Sequence, residues 1–324
     1  MTTRVCRREM IARTGLGLGT AAVAGLTATT AAAEEPAGSP REPFGYSLNT
    51  GTLLGKKLPL AELFDVAAKA GYRAIEPWID EIRRHTAAGG SLADLKKRAA
   101  DRGLTVIDAI GFVDWISDDD AKRKAGLEQM RRDMDLVAQI GGLRIAAPPL
   151  GGYNSPIDLR RIADRYRNLL QIGRQIGIVP QLELWGGSKT LSRVSEVAYV
   201  AIEAADPDAC ALLDIFHIYK GGSDFASLRL LNGAALHVVH INDYPAQPPR
   251  STVTDAHRVY PGDGVAPLGM ILRTLAANGF RGHLSLELFN PGYWARSALE
   301  IARTGLEKTR AAVRKALGQG SAEK

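Results

Sequence analysis

The sequence predicts a single-domain α/β fold, a (β/α)8 TIM barrel spanning residues 44–316. Three observations lead there. From Phe44 onward, short apolar runs of strand length alternate with helical stretches, the order expected of βα units and a parallel sheet. Eight such units use up the length and leave no room for a second domain. Several of the strands end on ionisable residues, and barrels carry their chemistry at the C-terminal ends of their strands. The competing arrangement is an open doubly wound sheet. It usually shows a Gly-rich phosphate loop after the first strand, and none is present.

The elements are expected in this order. The first strand covers Phe44–Leu48 and its helix Pro59–Ala70. Strand 2 at Ala74–Trp78 leads to a helix near Leu92–Arg102, and strand 3 at Thr105–Ile110 to a helix at Ala121–Gln139. Strand 4 is Leu143–Ala146 with a helix at Ile157–Ile176; strand 5 is Val179–Leu184 with a helix at Leu191–Ala204. Strand 6 is Ala209–Ile215, followed by a short helix near Ser227–Leu231. Strand 7 at Leu236–Ile241 precedes a helix at Pro267–Asn278, and strand 8 at His283–Leu288 precedes a closing helix at Ala295–Ala316. Gly71, Gly103, Gly141, Gly177 and Gly279 each stand just past a helix, where a residue tolerant of positive φ ends it cheaply.

Residues 1–33 read as an address. Arg4, Arg7 and Arg8 precede an Ala/Gly/Leu/Thr stretch that ends in Ala31-Ala32-Ala33, the layout of a secretory signal. The adjacent Arg7-Arg8, with Met10-Ile11 behind it, resembles a twin-arginine signal, which implies export to the periplasm or beyond. The stretch is too rich in Gly and Thr for a membrane anchor, so no membrane partner is expected of the mature form. Residues 34–43 read as a linker and 317–324 as a C-terminal tail.

Composition is that of an ordinary soluble domain able to bury a sizeable core, with 45% hydrophobic and 23% charged residues. Four arginines and one glutamate in the leader account for half of the +6 net charge, so the mature chain offers little basis for nucleic-acid binding. Cys210 is the one cysteine outside the leader, and folding therefore does not depend on an internal disulfide. Composition is compatible with a monomer or a homo-oligomer.

The strand ends carry the chemistry. Strand 5 ends Leu182-Glu183-Leu184-Trp185, strand 6 Leu213-Asp214-Ile215, strand 7 Val239-His240-Ile241, and strand 8 Leu286-Glu287-Leu288. Side chains alternate along a strand, so apolar neighbours facing the helices turn Glu183 and Glu287 into the barrel mouth. An ionised carboxylate there is costly unless it is paired or holds a cation. Three carboxylates and an imidazole suit a divalent ion, Mn, Mg, Co or Zn. The alternative is a buried ion-pair network, which would need Lys189 or Arg258 to reach in.

Glu183, Asp214 with His217 three residues on, His240, the Pro261-Gly262-Asp263-Gly264 loop and Glu287 together resemble the xylose-isomerase-like barrel superfamily, the sugar phosphate isomerases and epimerases. The resemblance covers roughly Phe44 to Ala316 and implies that Glu183, Asp214, His240 and Glu287 bind the metal. It further implies a metal-dependent isomerase or epimerase that abstracts a proton next to a carbonyl of a sugar or keto-sugar. Glu183 and Glu287 are then catalytic, and His217 bonds a substrate oxygen. An arginine of the 244–259 segment holds substrate oxygens; Arg258 is taken for it, with Arg250 the alternative. In ketose 3-epimerases a second carboxylate lies a few residues past the strand 5 Glu. Here that place is Gly186-Gly187-Ser188-Lys189, and Lys189 stands as base or oxyanion holder. That departure keeps open a lyase or dehydratase acting on a keto-polyol or 3-keto-glycoside, and a sugar-binding protein without turnover.

Trp78 and Trp185 follow strands 2 and 5, where an aromatic face could stack on a sugar ring or simply pack. Glu76 could reach a substrate hydroxyl or bridge to a neighbouring strand. The superfamily also includes abasic-site nucleases, but those need extra histidines on several strands, and the whole chain has six.

Overall fold

The computed structural model describes residues 42–318. The signal segment, nearly all of the linker and most of the tail lie outside the described residues. Among those described, no helix is long and apolar enough to cross a membrane.

The first half of the barrel runs β1 (Gly45–Asn49), α1 (Leu60–Ala70), β2 (Ala74–Glu76), α2 (Ile79–Ala87), α3 (Leu92–Asp101), β3 (Thr105–Val106), α4 (Asp120–Gln139) and β4 (Arg144–Ala147). The second half is α5 (Leu159–Ile176), β5 (Val179–Glu183), α6 (Val194–Ala204), β6 (Ala211–Asp214), α7 (Ile215–Gly221), β7 (Leu236–Ile241), α8 (Leu268–Ala277), β8 (His283–Leu286) and α9 (Ala298–Leu317). The eight strands are parallel and ordered β3-β2-β1-β8-β7-β6-β5-β4, the cyclic order of a (β/α)8 barrel. The ladder's two ends meet where Ala146 N–H donates to Ala109 O at 2.9 Å. Two apolar layers hold the fold. A large one lies between strands and helices, and a small one of Ala74, Ile107, Ile110, Ala146, Leu212 and Val238 forms its own apolar cluster.

The helix ends follow the sequence signals. Ser91, Asp119, Asp158 and Ser297 cap α3, α4, α5 and α9 by accepting backbone N–H bonds, which satisfies donors that have no partner inside the helix. All five glycines expected after helices take positive φ, between 64° and 99°.

Four local expectations are corrected. Strand 3 pairs regularly only over Thr105–Val106, because Pro77 offers no N–H where the β2 edge would continue; the chain resumes as a lone bridge between Trp78 and Ile110. Two helices, not one, join β2 to β3. Strand 6 stops at Asp214 and α7 starts at once, since the Asp214 Oδ1 accepts the His217 N–H at 2.8 Å and caps it. The helix expected near Ser227–Leu231 is a 3-10 segment over Phe225–Leu230.

Candidate metal centre and its cavity

Register brings the ionisable strand ends together. Asp214 on β6 lies beside His240 on β7, and His240 beside Ser285 on β8. Glu183 closes β5, and Glu287 follows the last paired residue of β8. One donor atom from each of Asp214, His240 and Glu287 lies within 4.8 Å of the others. His240 Nδ1 is 3.2 Å from Glu287 Oε2, 3.5 Å from Asp214 Oδ2 and 4.0 Å from Glu183 Oε1. Donors about 2.0–2.2 Å from one ion stand about 3–3.6 Å from one another, so the first two spacings fit directly and Glu183 needs a small inward shift.

The atoms facing that point lack other partners. His240 Nδ1 and Glu183 Oε2 are buried and make no hydrogen bond. The far side of the imidazole is fixed: His240 Nε2 lies 3.0 and 3.1 Å from the two Glu76 oxygens. Glu76 is held in turn by Ser285 Oγ at 2.6 Å and Asn49 Nδ2 at 2.9 Å. A carboxylate behind a histidine selects the tautomer that turns the other nitrogen's lone pair to a metal. Asn49 also donates to Glu287 Oε1 at 3.1 Å, while its Oδ1 accepts from Trp78 Nε1 at 3.0 Å and Gly51 N at 2.8 Å. The residues therefore fit a divalent cation by donor set, spacing and unbonded buried atoms.

Electrostatics point the same way. Burial pushes the Glu183 carboxyl up to about 8, with Glu287 adding to the rise against the lowering pull of His240. Burial also outweighs the neighbouring positive charges at Glu287 and leaves it raised. Burial opposes charge on His240, but Glu287 and Glu76 overcome it and hold the imidazole well above its ordinary value. Asp214 is held well below the usual carboxylate range, because Arg258 above all outweighs its burial. Arg258 does reach in, as the ion-pair alternative required: Nη1 is 2.6 Å from Asp214 Oδ2 and 2.9 Å from Glu287 Oε2. Arg258 leaves Glu183 Oε2 and His240 Nδ1 unbonded, so the ion pair alone does not satisfy the cluster.

Above these donors opens a cavity of about 560 Å³. Glu183, Glu287, His217, Arg258, Trp78 and Trp185, all singled out in the sequence, line it. His217 Nε2 faces Arg258 Nη2 at 3.2 Å. A guanidinium only donates, so that nitrogen accepts and Nδ1 carries the proton. The buried His217 Nδ1 has no partner, and burial takes the imidazole down to about 4, so the ring is neutral.

Two expected site residues lie outside the cavity. Glu76 takes the second of its two expected places: it is fully buried, bridges to His240 on β7 and Ser285 on β8, and does not line the cavity. Lys189 does not line the cavity: its backbone N–H is tied to Tyr153 O at 2.9 Å and its side chain is exposed, because the turn from Trp185 to Ser188 swings it past the rim. Between the two arginines, Arg258 enters the centre, whereas Arg250 lines a separate surface groove.

The sequence reading missed other cavity residues. Asp255 bonds Arg258 at 2.6 Å through Nη2 and 3.1 Å through Nε, and fixes the guanidinium from outside. Its three-residue spacing from Arg258 was the available signal. Phe112, Tyr153, Lys220 and Phe289 also line the cavity. Lys220 Nζ is engaged by the carbonyls of Arg250, Ser251 and Val253, at 2.8–3.1 Å.

Comparison with known proteins identifies relatives of this chain. The chain is 27% identical to an inosose isomerase of Bacillus velezensis, over 79% of this chain and 92% of that enzyme. It is 28% identical to a 3-dehydroshikimate dehydratase of Pseudomonas aeruginosa, over 78% of this chain but only 40% of that longer enzyme. In three dimensions it overlays a crystal structure of the IolI protein with a bound zinc atom at a TM-score of 0.78 and 23% identity, covering 84% of this chain and 99% of that one, a likeness that shows the fold. The family model of the xylose isomerase-like TIM barrel matches residues 64–312, and the chain belongs to that family.

Proposed function

We propose that this protein is a metal-dependent isomerase or epimerase that removes a proton from the carbon beside the carbonyl of a sugar-like polyol or keto-sugar. The observation that carries the reading is the ring of four donors, Glu183, Asp214, His240 and Glu287, with His240 Nδ1 and Glu183 Oε2 buried and unbonded. A divalent ion held there, Mn, Mg, Co or Zn, would polarise a substrate carbonyl and steady the charge left when the neighbouring proton departs. The chain's own groups supply the rest. Glu183 and Glu287 line the cavity and would take and return the proton. His217 Nδ1–H donates to a substrate oxygen, and Arg258, clamped by Asp255, holds a second. The apolar rim limits water around the reacting carbon.

A second reading is elimination of a β-leaving group from the same enolised substrate. It is favoured by residues 185–189, which place no carboxylate opposite Glu287 for the two-carboxylate exchange of an epimerase. The similarity to a dehydratase supports it.

The test is metal analysis of the purified protein, followed by a screen of keto-sugars in deuterium oxide. We expect about one divalent ion per chain, and solvent deuterium at the carbon beside the carbonyl. Glu183→Gln and Glu287→Gln should each lower metal content and abolish exchange. Full metal content in both variants would overturn the ligand assignment. Bound metal and bound sugar without any exchange would establish a binding protein in place of an enzyme.

A further inference from the structure

The cavity has two unlike walls. His217, Asp255 and Arg258, from the segments after β6 and β7, make one side polar. The other side, from the segments after β2, β3, β4 and β5, is a run of four aromatic rings. Centroids lie 6.1 Å apart from Tyr153 to Trp185, 6.1 Å from Trp185 to Phe112, and 5.1 Å from Phe112 to Trp78. Their planes turn by 81°, 51° and 61° in succession, so the rings form a curved collar and not a flat platform. Phe216 and Phe289 already hold the Arg258 guanidinium over their faces, at 4.7 and 5.2 Å. Among the described residues, no cation lies over any ring of the collar. Phe112 and Tyr153 stay 39% and 40% exposed at the mouth, apolar surface that folding leaves without a partner.

A bare polyol makes poor use of such a wall. One ring suffices to cover the C–H face of a sugar, and the hydroxyls around its edge need hydrogen-bond partners once buried. The collar has few to give: the Trp78 indole N–H is committed to Asn49 Oδ1 at 3.0 Å, and the Phe112 ring has no polar atom. Size agrees. A volume of about 560 Å³ equals roughly 19 water-sized volumes at about 30 Å³ each, whereas a monosaccharide has only about a dozen non-hydrogen atoms.

We propose that the substrate is a polyol or keto-sugar bearing a flat apolar group, such as an aryl glycoside, and that Tyr153, Trp185, Phe112 and Trp78 form the subsite for that group. This rests on the metal-dependent reading above, with the polyol over the metal donors and the apolar group turned toward β2–β5. Edge and face contacts with several rings give such a group its selectivity.

The test is calorimetric titration of the metal-loaded, full-length protein with phenyl β-D-glucopyranoside and with methyl β-D-glucopyranoside, a pair that differs only in the flat group. Kd for the phenyl glycoside should be at least tenfold lower. Replacing the two exposed rings together, Phe112→Ser with Tyr153→Ser, should shrink the ratio below threefold while metal content and the circular dichroism spectrum stay unchanged. Equal affinities, no saturable phenyl binding, or a ratio that survives the double change would overturn the collar. Metal content and deuterium uptake, read on the same samples, separate the two proposals. Metal and exchange without phenyl preference sink the collar alone; phenyl preference in a protein that binds no metal supports the collar and sinks the metal reading.

Discussion

Asp243→Asn should cost about 3 kcal/mol of unfolding free energy although it changes one atom. Asp243 is buried just past β7, and its carboxylate accepts four backbone N–H bonds. Oδ1 takes Tyr244 at 2.8 Å and Ala266 at 2.9 Å; Oδ2 takes Gly262 at 3.0 Å and Gly264 at 3.1 Å. These donors begin and end the segment that carries Asp255 and Arg258 into the site. Gly264 packs so tightly that a Cβ there would collide with Asp243 Oδ1. An asparagine keeps one oxygen and sets an NH2 against two N–H donors. Two bonds to a charged acceptor are lost, each worth about 1.5–3 kcal/mol. Water reaching the amides of exposed Gly262 and half-buried Gly264 recovers part of that, which leaves about 3 kcal/mol. Urea denaturation followed by circular dichroism measures the global loss, and amide hydrogen exchange across residues 244–266 measures the local one. A variant within about 0.5 kcal/mol of the parent, with unchanged exchange in that segment, would refute the idea that one carboxylate anchors it.

Four further outcomes are expected. Glu76→Gln should weaken metal binding by about 10- to 100-fold, measured by competition with a chelating dye, because an amide no longer fixes the His240 tautomer. Trp115→Ala should destabilise by about 3–5 kcal/mol in thermal or urea unfolding, since it empties a fully buried site and strands the Pro148 carbonyl, now bonded by the indole N–H at 2.6 Å. Lys189→Met should leave kcat and KM within about twofold, its side chain lying outside the cavity; a large fall in kcat alone would restore it as a base. For the leader we propose twin-arginine export: Arg7→Lys with Arg8→Lys should hold the protein in the cytoplasm, and normal secretion of that variant, followed by cell fractionation, would exclude the route.

Much of the barrel is legible because each strand announces itself locally. Leu182-Glu183-Leu184 and Leu286-Glu287-Leu288 state both burial and direction in three residues. The glycines after the helices are equally local. What the sequence hides depends on depth or on abrupt transitions. Glu76 alternates inward just as Glu183 does, yet it lies beneath His240, and only the register of β2 against β1, and of β1 against β8, sets that depth. Helix α7 has seven residues and begins on the strand's last residue, too short to show a period; His217 therefore reads as a loop residue. Lys189 fails for the opposite reason: counting residues past Glu183 gives its distance along the chain, and the turn at Gly186-Gly187 sets its direction. Arg250 and Arg258 stand in one loop segment, and Asp255 seats the second of them.

Asn49 has a consequence for how this enzyme could diverge. Its amide has two donor and two acceptor places, and all are filled: Glu76, Glu287, Trp78 and the Gly51 backbone. No other uncharged side chain of that length can serve two carboxylates and two N–H groups at once. One residue thus ties the support of the metal histidine, a metal ligand and one ring of the aromatic wall into a single unit. A change at Trp78 is felt at Glu287, so that ring is poorly free to drift. Phe112 and Tyr153, at the outer rim, have no such tie to the metal donors. Descendants of this chain should therefore explore new substrates by varying those two outer rings first, with the inner ring changing last and together with Asn49.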